Sequence, residues 1–266
     1  MNNIFVAHET LEICKKRQYE VNGRIVTFPE SDFEGVEAIT PEMGKNLLGQ
    51  ELEFPEDGQM CRLSVINSDS YAAAHRYDKA LVLNFANAHV PGGGFLHGAN
   101  AQEEALCRCS TLYPSITSDQ GMAMYKYNNT HINSVESDYM LISENVLVFR
   151  DEKLNLLEEP FVTSVITAPA PNRYGAGAFA SPSKIKDTFE RRTRIILRAA
   201  IERGYKNVVL GAWGCGAFGN KPSEVAGYFK RVIVEEKLGL FFNEICFAIY
   251  GNENGRNIMA FRKIFD

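Results

Sequence analysis

The sequence predicts an α/β protein, in which buried strands alternate with amphipathic helices. Three observations point to this class. Residues 80–83 and 207–210 are short apolar runs of the kind found in strands buried on both faces. A long amphipathic segment opens at Ser181-Pro182 and stops at Gly204, which are typical helix start and stop signals. Segments of the two kinds alternate along the chain, as expected for a sheet covered by helices.

Residues 1–59 are expected to form an accessory extension. The pattern of residues 8–19 predicts a short helix. Its cations lie near the C-terminal end, where the helix dipole stabilises positive charge. Two strand-like runs flank Asn22-Gly23, and this pattern predicts a β-hairpin. Residues 30–59 are acidic and rich in turn-forming residues.

Residues 60–266 are expected to form the main domain. Strand-like runs occur at 62–67, 79–84, 140–149, 161–168, 207–210 and 244–250. Helical patterns occur at 69–79 and 103–113, from Pro182, and from about Pro222, and Pro114 is expected to end the second of them. In open sheets of this kind, ligands bind beyond the carboxyl ends of the strands.

Composition and charge restrict the class of function. Of the 266 residues 45% are hydrophobic and 23% are charged, as in an ordinary globular protein. The formal net charge of −5 argues against general nucleic-acid binding, which requires a basic face. A small anionic ligand is still compatible with this charge, because glycine-rich loops and helix N-termini bind pyrophosphates through backbone N–H groups.

The chain is expected to be cytoplasmic. No apolar run approaches the roughly 20 residues of a transmembrane helix, and the N-terminus lacks the basic and apolar regions of a secretion signal. The six cysteines form no C-x-x-C pair, which favours free thiols in a reducing compartment. The scattered histidines argue against a zinc site.

The first candidate site follows the strand at 79–84 and ends in Pro91-Gly92-Gly93-Gly94. Glycines allow a backbone to approach a bound group closely, and Asn87 can form hydrogen bonds with a sugar. A flexible surface loop is the alternative interpretation.

Seven residues separate Gly94 from the second candidate site, Gln102-Glu103-Glu104. Adjacent carboxylates in a first helical turn point roughly 100° apart, so they can take different roles. They can also simply complement the helix dipole. A general acid needs a pKa near the working pH, whereas a helix N-terminus stabilises the ionised carboxylate. Burial or the second carboxylate would have to oppose this effect.

A second glycine-rich loop, residues 211–220, joins a buried strand to a helix. Its sequence is Gly-Ala-Trp-Gly-Cys-Gly-Ala-Phe-Gly-Asn. Free amides beside a helix N-terminus can hold a phosphate. The loop lacks the Gly-Lys-Ser/Thr of a Walker A motif and the context of a dinucleotide fold. Trp213 is expected to lie in the core. Residues 167–173 contain two prolines and form either a rigid turn or a wall of the ligand cleft.

The triple glycine followed by Gln-Glu-Glu resembles the signature of poly(ADP-ribose) glycohydrolases, and the two loops resemble the macrodomain fold. The similarity is greatest to the microbial-type enzymes and covers residues 9–13, 84–113, 148–151, 167–172 and 211–220. This resemblance implies a three-layer α/β/α sandwich with a mixed sheet, plus an N-terminal helical and hairpin extension. It also implies hydrolysis of the ribose–ribose O-glycosidic bond of poly(ADP-ribose), with release of ADP-ribose.

The resemblance also implies roles for individual residues. Glu104 would be the general acid and then the base, and Glu103 would position ribose hydroxyls. Asn87 would hold the distal ribose, Gly93 and Gly94 would leave room for it, and Phe218 would pack on it. Gly214, Cys215, Gly216 and Ala217 would bind the pyrophosphate. Gly92 and Gln102 are also expected to contact substrate. Asp69 is the candidate for the adenine amine. No metal or cofactor is implied.

Three other functions are compatible with these motifs. The chain could hydrolyse mono-ADP-ribosylated protein, nucleic acid or metabolite, could bind ADP-ribose without catalysis, or could be an unrelated nucleotide-sugar enzyme. The expected partners are poly(ADP-ribose) or another ADP-ribosylated substrate and the product ADP-ribose. Neither general nucleic-acid binding nor membrane binding is expected.

Overall fold

The chain begins with a helix and a hairpin. The hairpin lies where the sequence predicts it, whereas the helix covers residues 3–16 and not the predicted 8–19. The computed structural model describes residues 2–56 and 58–266, so Met1 and Asp57 of the predicted extension lie outside the described residues. Helix α1 (Asn3–Lys16) is capped by the Asn2 side chain. Strands β1 (Gln18–Val21) and β2 (Arg24–Thr27) pair antiparallel across Asn22 and Gly23, whose φ angles are 51° and 74°. Positive φ at both positions is what a tight hairpin turn of this twist requires.

A mixed seven-stranded sheet forms the centre of the molecule. Its strands are β3 (Glu37–Ile39), β4 (Arg62–Ile66), β5 (Leu81–Ala86), β6 (Met140–Arg150), β7 (Leu156–Pro169), β8 (Asn207–Leu210) and β9 (Glu244–Ala248). They lie in the order β3-β6-β7-β5-β8-β9-β4. The pairs on either side of β6 are antiparallel, whereas those from β7 to β4 are parallel.

Helices cover both faces of this sheet. They are α2 (Pro41–Gly49), α3 (Ser70–Ala74), α4 (Gln102–Cys109), α5 (Leu112–Thr117), α6 (Met122–Thr130), α7 (Pro182–Glu202), α8 (Pro222–Lys230) and α9 (Arg256–Phe265). Alternate residues of β5 belong to different clusters: Leu83 packs with α7, α8 and α9, whereas Val82 packs with α3 to α6. This arrangement confirms the predicted three-layer sandwich.

The helix predicted for residues 103–113 is two helices. α4 ends at Cys109, and Ser110 is extended, with φ −153° and ψ −177°. Pro114 lies inside the first turn of α5 and does not end a helix, so that prediction was wrong. Proline is tolerated there because a first-turn N–H has no intrahelical acceptor.

Residues 30–59 contain more regular structure than their turn-rich composition suggested. Thr40 caps α2 through its side-chain oxygen, with Pro41 at the first helical position. Strand β3 pairs with β6, so the predicted extension supplies an edge strand of the main sheet. Helices α6 and α9 were also not predicted.

The strand order brings three loops together. β7, β5 and β8 are parallel neighbours, so their carboxyl ends meet at one edge of the sheet. The loop after β7 is bound to the loop after β8 by three hydrogen bonds, Arg173 N–H to Phe218 O at 2.9 Å, Arg173 Nε to Asn220 Oδ1 at 3.1 Å and Asn220 Nδ2 to Pro171 O at 2.8 Å. Among the described residues, no helix has the length and apolar character needed to cross a membrane.

Candidate active site

Glu103 is a buried carboxyl at the start of α4. Its side chain accepts hydrogen bonds from Asn87 N–H at 2.7 Å and from Asn84 Nδ2 at 3.3 Å. Only 3% of the residue is exposed. Burial raises the pKa of Glu103 to about 8, and this effect outweighs the hydrogen bonds, which lower it. Glu103 therefore retains a proton near neutral pH despite its place at a helix N-terminus.

Glu104 is held in a different way. Its Oε1 accepts from Gly94 N–H at 2.9 Å, and its Oε2 accepts from Ala101 N–H at 3.0 Å. The second bond is the glutamate half of a capping box, whose other half cannot form because Ala101 has no side-chain oxygen. Both oxygens are thus fixed by the backbone on each side of the intervening loop.

The triple glycine lies against both carboxyl groups. A Cβ on Gly93 would lie 2.5 Å from Glu104 Oε1 and 3.3 Å from Glu103 Oε2. Gly93 also has a φ of 55°, in the left-handed region that favours glycine. A side chain on Gly92 would meet the Tyr113 ring, and one on Gly94 would meet Ala99. The loop is therefore shaped to lie directly on the carboxyl pair.

Gln102 and Asn87 are both engaged in the local structure. Gln102 accepts from Phe85 N–H at 2.9 Å and donates to Leu83 O at 2.8 Å and to Ser70 Oγ at 3.1 Å. Its two N–H groups are thus used in joining α4 to β5 and α3. Asn87 Oδ1 accepts from the backbone of His89 and Val90, and within residues 2–56 and 58–266 its Nδ2 donates no hydrogen bond.

The loop after β8 presents backbone N–H groups. In the described part of the chain, the amides of Gly214, Gly216, Ala217 and Phe218 donate no hydrogen bond. The amide of Cys215, by contrast, donates to Ala212 O at 3.0 Å. Asn220 Nδ2 donates to Gly214 O at 3.1 Å and holds the loop in this shape. The free amides form a group of donors suited to an anion.

The two aromatic side chains of this loop differ in burial. Trp213 is fully buried and donates from Nε1 to Ala168 O at 3.1 Å, which confirms its predicted place in the core. Phe218 is only partly buried and packs at the edge of the core.

Asp69 lies at the start of α3, after the edge strand β4. Its Oδ1 accepts from the backbone of Tyr71 and Ala72 and so caps this helix. The carboxyl group also lines a cavity of about 170 Å³ together with Cys109, Arg150 and Phe161, among others. Ser70, which follows Asp69 in the chain, accepts a hydrogen bond from Gln102, which precedes Glu103. This bond connects Asp69 with the carboxyl pair.

His89 was not singled out from the sequence. Its ring nitrogens lie 2.8 Å from Asn129 Oδ1 and 2.9 Å from Glu136 Oε2. Asn128 and Asn129 also donate to the carbonyls of Ala88 and His89. These contacts attach the residue 87–90 segment to α6. No sequence signal connected α6 with this loop, because the two are about forty residues apart.

Comparison with known proteins agrees with this geometry. Residues 7–151 match the family described as microbial-type PARG, catalytic domain. A comparison with curated protein sequences gives no match.

Solved structures extend the likeness to nearly the whole chain. The poly(ADP-ribose) glycohydrolase from Thermomonospora curvata is 35% identical, with 99% of each chain covered and a TM-score of 0.92. Its complex with the inhibitor ADP-HPD gives 34% identity, 98% of each chain covered and a TM-score of 0.87. The Deinococcus radiodurans enzyme in complex with ADP-ribose gives 37% identity and a TM-score of 0.80, covering 88% of this chain and 95% of that one. The chain belongs to the microbial-type poly(ADP-ribose) glycohydrolases and is a glycosidase.

Proposed function

We propose that Glu104 is the acid and base with which this glycohydrolase cleaves the ribose–ribose O-glycosidic bond of poly(ADP-ribose). The observation that carries the proposal is the meeting of two buried carboxyl groups at Gly93, where a Cβ would lie 2.5 Å from Glu104 Oε1. Because the glycine has no side chain, a sugar can approach this oxygen closely.

The free amides after β8 support a pyrophosphate site beside the carboxyl pair. β5 and β8 are adjacent, so the carboxyl pair and these amides lie at the same edge of the sheet. The pyrophosphate of the terminal unit would accept from the amides of Gly214, Gly216 and Ala217, and Phe218 would pack on the distal ribose. Contacts through the backbone agree with the net charge of −5, because they need no basic side chains.

One carboxyl group acts twice in the reaction, first as an acid and then as a base. Glu104 donates a proton to the leaving ribose oxygen as the glycosidic bond breaks, through an oxocarbenium-like transition state. The ionised Glu104 then takes a proton from the attacking water, whose oxygen forms the new bond to the anomeric carbon. ADP-ribose leaves, and Glu104 is protonated again.

Glu103 would bind the ribose hydroxyls through an uncharged carboxyl group, beside Glu104. Its pKa of about 8 keeps it protonated near neutral pH, so it can donate as well as accept a hydrogen bond. A neutral Glu103 also avoids two negative charges side by side. Asn87 Nδ2, on the same loop, would hold the distal ribose.

We also propose that Asp69 contacts the adenine and that Gln102 and Cys215 contact the substrate. The protein would be located in the cytoplasm.

Residues 1–59 would be an extension of a catalytic domain formed by residues 60–266. The extension has aromatic contacts of its own with β6, including Phe28 to Phe149 at 5.6 Å between ring centroids. The substrate is poly(ADP-ribose) or another ADP-ribosylated molecule, and the product is ADP-ribose.

Replacing Glu104 tests the proposal. Glu104→Gln removes the titrating group, so release of ADP-ribose from polymer should fall by roughly 100- to 10,000-fold. Calorimetry should still detect ADP-ribose binding, because the amides after β8 are unchanged. Glu42→Gln is the matched control, since Glu42 also stands in the first turn of a helix but is exposed. Wild-type turnover by Glu104→Gln would refute the role of Glu104. Binding without any release by the wild-type protein would indicate a non-catalytic ADP-ribose reader.

A further inference from the structure

The loop after β7 carries two aromatic rings that the core does not use. Tyr174 is 79% exposed and Phe179 is 91% exposed. Single apolar side chains on a surface are ordinary. Here, however, two rings lie five residues apart on one short loop, and that loop borders the candidate active site.

This loop is held in a defined shape. Asn172 O accepts from Gly175 N–H at 3.1 Å and from Gly177 N–H at 2.9 Å, and Asn172 Oδ1 accepts from Tyr174 N–H at 3.1 Å. Arg173 connects the loop to its neighbour, with Nε donating to Asn220 at 3.1 Å and a terminal nitrogen donating to Glu224 at 3.0 Å. The two rings therefore project from a braced segment.

Tyr174 also contacts the loop that carries the free amides. A Cβ on Gly219 would lie 2.6 Å from Tyr174 Cζ, so the ring lies against the bare backbone of Gly219. Its other surfaces are exposed to solvent. Tyr174 thus adjoins the loop proposed to hold the pyrophosphate, and Phe179 stands five residues further on the same braced segment.

The strand order indicates which part of a polymer meets this surface. ADP-ribose would extend from the carboxyl pair after β5, across the amides after β8, towards Asp69 after β4. β7 lies on the opposite side of β5. The neighbouring unit is attached to the distal ribose at the scissile bond, so it would leave the cleft on the side away from Asp69, where the loop after β7 begins.

We infer that Tyr174 and Phe179 form a stacking site for the adenine of the neighbouring polymer unit, the one whose ribose is the leaving group. This inference rests on the proposed function of the carboxyl pair. Aromatic side chains bind nucleobases by stacking, with a gain that corresponds to roughly tenfold in affinity for each base. The site would favour polymer over substrates whose leaving group carries no base.

The test compares two leaving groups. The double variant Tyr174→Ala/Phe179→Ala should reduce kcat/KM for poly(ADP-ribose) by about tenfold or more, mainly through KM. It should leave kcat/KM unchanged for an ADP-ribose glycoside of a simple aliphatic alcohol, and it should leave the ADP-ribose Kd unchanged. The ring-retaining variant Tyr174→Phe/Phe179→Tyr should act on polymer like the wild type, and the double variant Tyr174→Leu/Phe179→Leu should show the same loss as the alanine variant.

Each outcome supports or overturns the site. An unchanged KM for polymer in the alanine variant would overturn it, and so would an equal loss on both substrates. Restoration by leucine would indicate a general apolar contact and would also reject stacking. If the wild-type protein releases no ADP-ribose from polymer, the proposed function itself fails. If the wild type is active but the alanine variant has the same kcat/KM for polymer, only the stacking site fails.

Discussion

Glu103 and Glu104 are neighbours in sequence, but they bind different partners. Glu103 points to the end of β5, where Asn84 and Asn87 donate to it. Glu104 points to the other side of the loop, where Gly94 and Ala101 donate to it. The pair therefore acts as two separate groups, one with a raised pKa and one fixed beside Gly93.

The raised pKa of Glu103 predicts a pH dependence of stability. The folded protein keeps this proton up to a pH of about 8, whereas the unfolded chain loses it near 4.5. The stabilisation is complete below pH 4.5 and is lost as the pH rises to about 8. The free energy of unfolding of the wild type, relative to Glu103→Gln, should fall across this window by up to about 1.4 kcal/mol per pH unit.

Urea unfolding at several pH values between 4.5 and 8 measures this difference. Glutamine keeps the size of the side chain but cannot titrate, so other groups contribute equally to both proteins. Parallel stability curves for the two proteins would contradict the raised pKa.

At the scale of elements, the site depends on how α6 and α4 hold the loop after β5. α4 provides the carboxyl pair, and α6 binds the residue 87–90 segment through Asn128, Asn129 and the His89 ring. Because Asn87 N–H donates to Glu103, a displacement of this segment would move the carboxyl partner as well.

His89→Ala should therefore lower kcat about tenfold, with a smaller change in ADP-ribose affinity. The variant removes the ring contacts to Asn129 and Glu136, and a displacement of about 1 Å can cost on the order of 100-fold in rate. Turnover on polymer and ADP-ribose calorimetry measure the two effects. His131→Ala is the control, because His131 stacks on Tyr127 at the end of the same helix. Equal losses in both variants would argue against a specific role of His89.

At the scale of the molecule, the predicted extension and the main domain share one sheet. β3 pairs with β6, and a small hydrophobic cluster joins the two parts. This cluster contains Ile13, Tyr19, Phe28 and Phe33 from the extension and Leu147 and Phe149 from β6. The shared sheet and the shared cluster predict that the two parts unfold together.

Phe28→Ala tests this cooperativity. Deleting a buried phenylalanine ring should lower the free energy of unfolding by about 3–5 kcal/mol and shift one single transition. Ile25→Ala is the matched control, because Ile25 is 68% exposed on the same hairpin and should change stability by less than about 0.5 kcal/mol. Denaturant unfolding followed by tryptophan fluorescence and by circular dichroism measures both. Two separate transitions, with only the smaller one shifted, would show that the extension unfolds alone.

The sequence by itself determined the local features. Asn22-Gly23 specified a hairpin, Ser181-Pro182 a helix start, and the apolar runs at β5 and β8 specified buried strands. The residue types at Gly92–Gly94 and Glu103–Glu104 indicated close backbone approach and acid/base chemistry. These features depend on neighbours within a few residues, which is why they could be predicted.

The tertiary structure decided which of these features meet. Burial beneath the loop after β5 gives Glu103 its raised pKa, because desolvation depends on groups far away in sequence. The order β7-β5-β8 brings the carboxyl ends of these strands to one edge of the sheet, where the Tyr174 loop contacts the amide loop. The break at Ser110 and the pairing of β3 with β6 likewise depend on long-range contacts that outweigh local propensity.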